Sequence, residues 1–97
     1  MTRSSILSLL SQHLQEIRQS YGVNRLALFG SAARDELRTD SDVDVLVEFD
    51  GPATFDHYFN LKSYLEKLLQ RRVDLVTNRG LKPRARREVE KDLVRVA

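Results

Sequence analysis

The segment Ser41-Asp42-Val43-Asp44-Val45-Leu46-Val47-Glu48-Phe49 decides the fold. Val43, Val45, Val47 and Phe49 fall on every second position, the period of a β-strand packed on one face. Asp42, Asp44, Leu46 and Glu48 share the other face. Thr39-Asp40-Ser41 supplies turn chemistry before this strand, and Asp50-Gly51-Pro52 ends it.

Upstream lies Asn24-Arg25-Leu26-Ala27-Leu28-Phe29, whose last four residues are apolar on both faces, as in a central strand. Gly30-Ser31 breaks it, and residues 31–37 predict a short helix with Ser31 at its N-cap. Residues 4–20 predict one amphipathic helix, with Ile6, Leu9, Leu10, Leu14, Ile17 and Tyr21 at three- and four-residue steps. Thr2 or Ser4 can cap its start, and a left-handed Gly22 can end it. Downstream, residues 54–70 predict a second amphipathic helix in which the aromatic set Phe55, Tyr58, Phe59 and Tyr64 reads as core. Arg72-Val73-Asp74-Leu75-Val76 reads as a third strand and Asn78-Arg79-Gly80 as a turn. Pro83 opens a basic helix over 83–92. The tail Leu93-Val94-Arg95-Val96 suits either a short edge strand or the helix end. The order α-β-α-β-α-β-α predicts an α/β (α+β) architecture, a small sheet of three to four strands flanked by helices.

The chain has 97 residues, enough for one domain, 1–97, and too few for two. It contains no Cys, which excludes a disulfide scaffold, a Cys-based zinc site and a thiol nucleophile, and fits a cytoplasmic setting. The start lacks the continuous apolar run of a signal peptide, and no stretch approaches the ~20 apolar residues of a membrane span. The net charge of +2 hides an asymmetry. Between Asp35 and Asp56 eight acids face one base, and between Arg79 and Arg95 seven bases face three acids. Such a chain can hold a cation at one place and a polyanion at another. Lys82-Pro83-Arg84-Ala85-Arg86-Arg87 offers a nucleic-acid-binding reading, but no aromatics interleave and Glu88, Glu90 and Asp92 dilute it. Direct nucleic-acid binding is therefore not expected. His13 and His57 have no metal-ligand spacing and read as surface or partly packed.

The residues that carry chemistry are Gly30-Ser31, then ten residues, then Asp42-Val43-Asp44, then Asp74. Two carboxylates two apart on a strand lie on one face, their Cα atoms ~6.6 Å apart, and repel unless a counter-charge intervenes. Acid oxygens so placed suit Mg²⁺, with Mn²⁺ as the alternative. Asp74 interrupts an apolar strand, where Asp is disfavoured, so it reads either as a third carboxylate or as one partner of an Arg. Gly30-Ser31 ends a buried strand and opens a helix, and free backbone N–H groups there attract phosphate. Arg34, one turn on, can serve the phosphates or pair with an acid such as Asp40. The segment lacks the Lys of a Walker A loop. A phosphate cradle beside an acid cluster is what phosphoryl or nucleotidyl transfer requires.

Gly30-Ser31-x10-Asp42-x-Asp44, set within Leu26–Arg34 and Ser41–Phe49, resembles the signature of the polymerase-beta-like nucleotidyltransferases. The short length and the distal Asp74 make the chain most similar to the minimal nucleotidyltransferases. The resemblance implies that fold, with a small mixed sheet. It implies that Gly30, Ser31, Arg34 and Ser41 bind the nucleotide, that Asp42 and Asp44 bridge two Mg²⁺ ions, and that Asp74 completes the metal site and helps deprotonate the acceptor. It also implies a role: as antitoxin of a HEPN-domain RNase toxin in a type VII-like pair, transferring AMP from ATP to a toxin tyrosine, with a hetero-oligomer as its assembly. The same fold also serves an alternative, an idle antitoxin that neutralises its partner by contact. Asp35 departs from the pattern, which usually has Gly after the Arg, and an added acid there is expected to weaken nucleotide binding.

Overall fold

In a computed structural model, which describes residues 1–52 and 54–97, the chain forms α1 (Arg3–Gln12), α2 (Leu14–Tyr21), β1 (Val23–Phe29), α3 (Gly30–Ala33), β2 (Val43–Phe49), α4 (Phe55–Leu69), β3 (Val73–Thr77), a 3-10 turn (Asn78–Gly80), α5 (Pro83–Lys91) and β4 (Val94–Arg95). The strands make one mixed sheet in the order β3-β2-β1-β4. β1 runs antiparallel to β2 and β4, while β2 and β3 are parallel, so α4 serves as their crossover. The C-terminal tail resolves to an edge strand.

Alternation along β2 divides the molecule in two. Val43, Val45 and Val47 are fully buried and meet Leu26 and Leu28 of β1 and Leu75 of β3. Against this face pack Ile6 and Leu10 of α1, Ile17 of α2, and Leu61, Leu65 and Leu69 of α4. The opposite face carries three cross-strand rows: Phe29, Asp44 and Asp74; then Ala27, Leu46 and Val76, with Arg95 beside Ala27; then Arg25 and Glu48. The acids thus stand on the face away from the core.

The helix expected over 4–20 is two helices. His13 leaves helical geometry (φ −106°, ψ 9°), and its Nδ1–H donates to the Leu9 carbonyl at 2.8 Å. The apolar steps run straight through this break because both halves pack on the same sheet face. Thr2 caps α1 through a reciprocal box with Ser5, and Gly22 ends α2 in the left-handed region at φ +65°. The expected helix over 31–37 is a single turn, one residue earlier, with Phe29 rather than Ser31 at the cap position. Within α4 the stripe facing the sheet is Tyr58, Leu61, Leu65 and Leu69. Phe55 and Phe59 lie one step around the helix and remain 77% and 47% exposed, against the expectation of core. Their rings pack against each other, tilted by 56°, with centroids 4.6 Å apart. Tyr64 is half-buried and donates its hydroxyl to Glu16 of α2.

Candidate active site

Gly30 is fixed by two constraints at once. Its φ of +64° lies in the left-handed region, and a β-carbon there would collide with Oδ2 of Asp44 and stand 3.2 Å from its Cγ. The end of β1 therefore approaches the Asp44 carboxylate as closely as a backbone can. Ser31 follows in the first turn of α3 and is half-buried.

The parallel register sets Asp74 directly beside Asp44. Asp44 is half-buried, and its pKa is raised from 3.8 to about 6. Burial is the main cause, followed by the negative charges of Asp74 and Asp42 and a hydrogen bond with Asp74, while the positive charge of Arg34 pulls the other way. Asp42 stands apart from this pair. Its Oδ1 lies 3.1 Å from Nε of Arg72, so the arginine partner considered for Asp74 belongs to Asp42 instead. Among the described residues no three His, Asp or Glu side chains already stand together as a cation site. The structure brings together Gly30, Asp44 and Asp74. Asp42 is adjacent but engaged, through an exposed ion pair of the kind worth ~0–1 kcal/mol.

Arg34 pairs with acids, though not with Asp40. Nη1 meets Asp92 Oδ2 at 2.8 Å and Nε meets Glu36 Oε2 at 3.1 Å, which raises its pKa, chiefly through the bond to Asp92. Asp92 follows α5, so this contact ties the far end of the chain to the acid row. Asp35 takes a left-handed conformation (φ 60°), a region Asn and Asp tolerate best after Gly. Its carboxylate accepts the Arg3 backbone N–H at 2.8 Å, at the start of α1, and is thereby engaged at that helix end. Ser41 sits in the turn before β2, its hydroxyl accepting the Arg38 N–H at 3.1 Å. Arg71 clamps that turn by donating to the carbonyls of Arg38 and Ser41. Arg71, Arg72 and Asp92 escaped the sequence reading because each acts through a partner at least 30 residues away.

Along the same sheet face from Asp44, a groove of about 290 Å³ opens between the strands and α5. Leu46, Glu48 and Arg95 form its floor, and Val89 and Leu93 its roof. No described helix is long and apolar enough to cross a membrane.

All-oxygen donors at Asp44 and Asp74 fit a hard divalent cation, whose charge would offset the burial and the neighbouring acids that raise the Asp44 pKa. The comparisons with known proteins agree with this chemistry. Residues 10–96 match the family profile described as nucleotidyltransferase domain. The chain is 40% identical over 96 residues to protein adenylyltransferase MntA of Thermococcus cleftensis, covering 99% of this chain and 97% of that protein. A solved structure described as a minimal nucleotidyltransferase superposes with a TM-score of 0.82 at 38% identity, covering 97% of this chain and 95% of that one. The fold is also shared, at 18% identity and a TM-score of 0.68, with a structure of a tri-AMPylated Shewanella oneidensis HEPN toxin in complex with MNT antitoxin, covering 94% of this chain and 71% of that one.

Proposed function

Because the chain belongs to the nucleotidyltransferase domain family, we propose that it transfers AMP from ATP to a tyrosine hydroxyl of a HEPN-domain toxin, acting as the antitoxin of that pair in the cytoplasm. The observation that carries this reading is the Asp44–Asp74 pair set against the Gly30 turn. The adenylyltransferase relative supports AMP as the group transferred. The AMPylated toxin bound to an antitoxin of the same fold supports the partner and the hetero-oligomer.

Gly30 lets a triphosphate lie against the backbone, and the Ser31 hydroxyl adds a donor to the leaving phosphates. Arg34, held near the acids by Asp92, supplies positive charge to the same phosphates. Asp44 and Asp74 would hold Mg²⁺, with Asp42 joining after it releases Arg72. When bound, the cation neutralises charge on the transferred phosphoryl group. Asp74 is the more exposed of the paired acids and accepts the proton of the incoming hydroxyl. Ser41 contributes through its turn, which with Arg71 fixes the start of β2.

The test is incubation with ATP, Mg²⁺ and a cognate HEPN-domain protein, followed by intact-mass analysis of that protein. A gain of AMP on wild-type treatment, absent with Asp44→Asn, is expected. Equal toxin neutralisation by wild type and Asp44→Asn without any mass gain means inhibition by contact alone.

A further inference from the structure

We infer that Asp35 is a positioning residue for the phosphate turn, its carboxylate tying the end of α3 to the start of α1, an inference that rests on the transfer reading above. α3 is a single turn, Gly30–Ala33, and Phe29 at its cap position offers it no side-chain hydrogen bond. A turn so short does not hold itself, because the first turn of a helix fixes several dihedrals for one bond. Burial of Ala32 and Ala33 anchors its middle. The rest of its support lies at the far end. The Glu36 N–H donates to the Ser31 carbonyl at 2.8 Å and the Asp35 N–H to the Ala32 carbonyl at 3.2 Å, the two bonds of a Schellman motif. Asp35 is the left-handed residue on which that motif turns (φ 60°). The placement of Ser31, which would meet the phosphates, is therefore set from Asp35.

Two bonds run between this end and Arg3, the first residue of α1. The Arg3 N–H donates to Asp35 Oδ1 at 2.8 Å, and Arg3 Nη1 donates to the Ala33 carbonyl at 3.1 Å. α1 is itself fixed to the core through the fully buried Ile6 and Leu10. It has no acid of its own in its first turn, where N–H groups lack partners and positive partial charge gathers. Asp35 supplies that acid from 32 positions away. An acid beside a phosphate site repels its ligand when its charge is unengaged. Here the charge faces a helix N-terminus, and what the acid gives the site is a fixed turn.

Three substitutions separate these roles. Asp35→Gly keeps the left-handed backbone and loses the carboxylate. Asp35→Asn keeps the backbone tolerance and an oxygen acceptor, without the charge. Arg3→Pro removes the N–H and the guanidinium but suits the first position of a helix, and Thr2 before it is already extended (φ −105°, ψ 164°). Calorimetric titration of the full chain with Mg²⁺ and inorganic tripolyphosphate reads the affinity. Asp35→Gly is expected to weaken tripolyphosphate about fivefold, the scale of one lost cap bond, and Asp35→Asn to retain most of the wild-type affinity. Made in an Arg3→Pro chain, Asp35→Gly is expected to change nothing further. Tighter binding by both Asp35→Gly and Asp35→Asn means repulsion by charge and overturns the inference. A lower melting temperature with wild-type affinity in Asp35→Gly, or losses that add in the double variant, overturns it too and leaves the transfer reading standing. Tripolyphosphate that fails to shift the wild-type Gly30 and Ser31 amides by NMR overturns the transfer reading, and this inference with it.

Discussion

At the scale of single residues the Asp44 carboxyl governs the site. Its pKa rises from 3.8 to about 6 on folding, so between those values the folded chain binds more protons than the unfolded one. The native state is favoured below pH 4, and that advantage is lost as pH climbs through 6. Asp44→Asn removes the charge, so its melting temperature should exceed that of wild type by a few degrees at pH 8, with the gap closing at pH 4. Thermal unfolding at the two pH values measures this, and a gap independent of pH would show that folding does not raise the Asp44 pKa. The spacing Gly30-Ser31, Asp42, Asp44 was legible because the strand period places acids on one face. The partners of Asp42 and Arg34 were not. An arginine chooses among acids by proximity in the folded chain, and Asp92 lies 58 positions from Arg34. Asp35 was legible as a departure from pattern, but its use at the start of α1 depends on a contact 32 positions away.

Among elements, β3 shows how a parallel pair ends at an open edge. Unpaired strand groups invite association with other chains. Here the Val73 N–H donates to Glu66 Oε2 at 3.0 Å and the Leu75 carbonyl accepts the Tyr58 hydroxyl at 2.6 Å, both partners coming from α4. The crossover helix thus covers the strand it delivers. Tyr58→Phe should cost about 1 kcal/mol by urea unfolding and speed amide exchange in β3. A variant with wild-type stability and exchange would show that the hydroxyl bond contributes nothing to the edge. The strands were readable from alternation, and α5 from Pro83 and its charge. The break at His13 was not, because two helices on one face keep the periodicity of one. Nor was the exposure of Phe55 and Phe59, since composition does not say which side of a helix meets the sheet.

For the whole molecule, the core and the chemistry occupy opposite faces of one four-stranded sheet. The three helices α1, α2 and α4 supply stability on one side. The acid side is covered only toward its far end by α5. Ligands that bind the acids should therefore stabilise the fold without disturbing its packing. Added Mg²⁺ is expected to raise the melting temperature by mass action, and Asp74→Ala to shrink that increment. An undiminished increment in the variant would place the ion elsewhere. The alternation of Val43, Asp44 and Val45 has a final implication for how the chain comes to be competent at all. A slip of β2 by one position against β1 would push a carboxylate into the oily interior and a valine into the reaction cleft. Misaligned arrangements are penalised twice over, so the correct alignment of β1 with β2 and the assembly of the acid row are a single event.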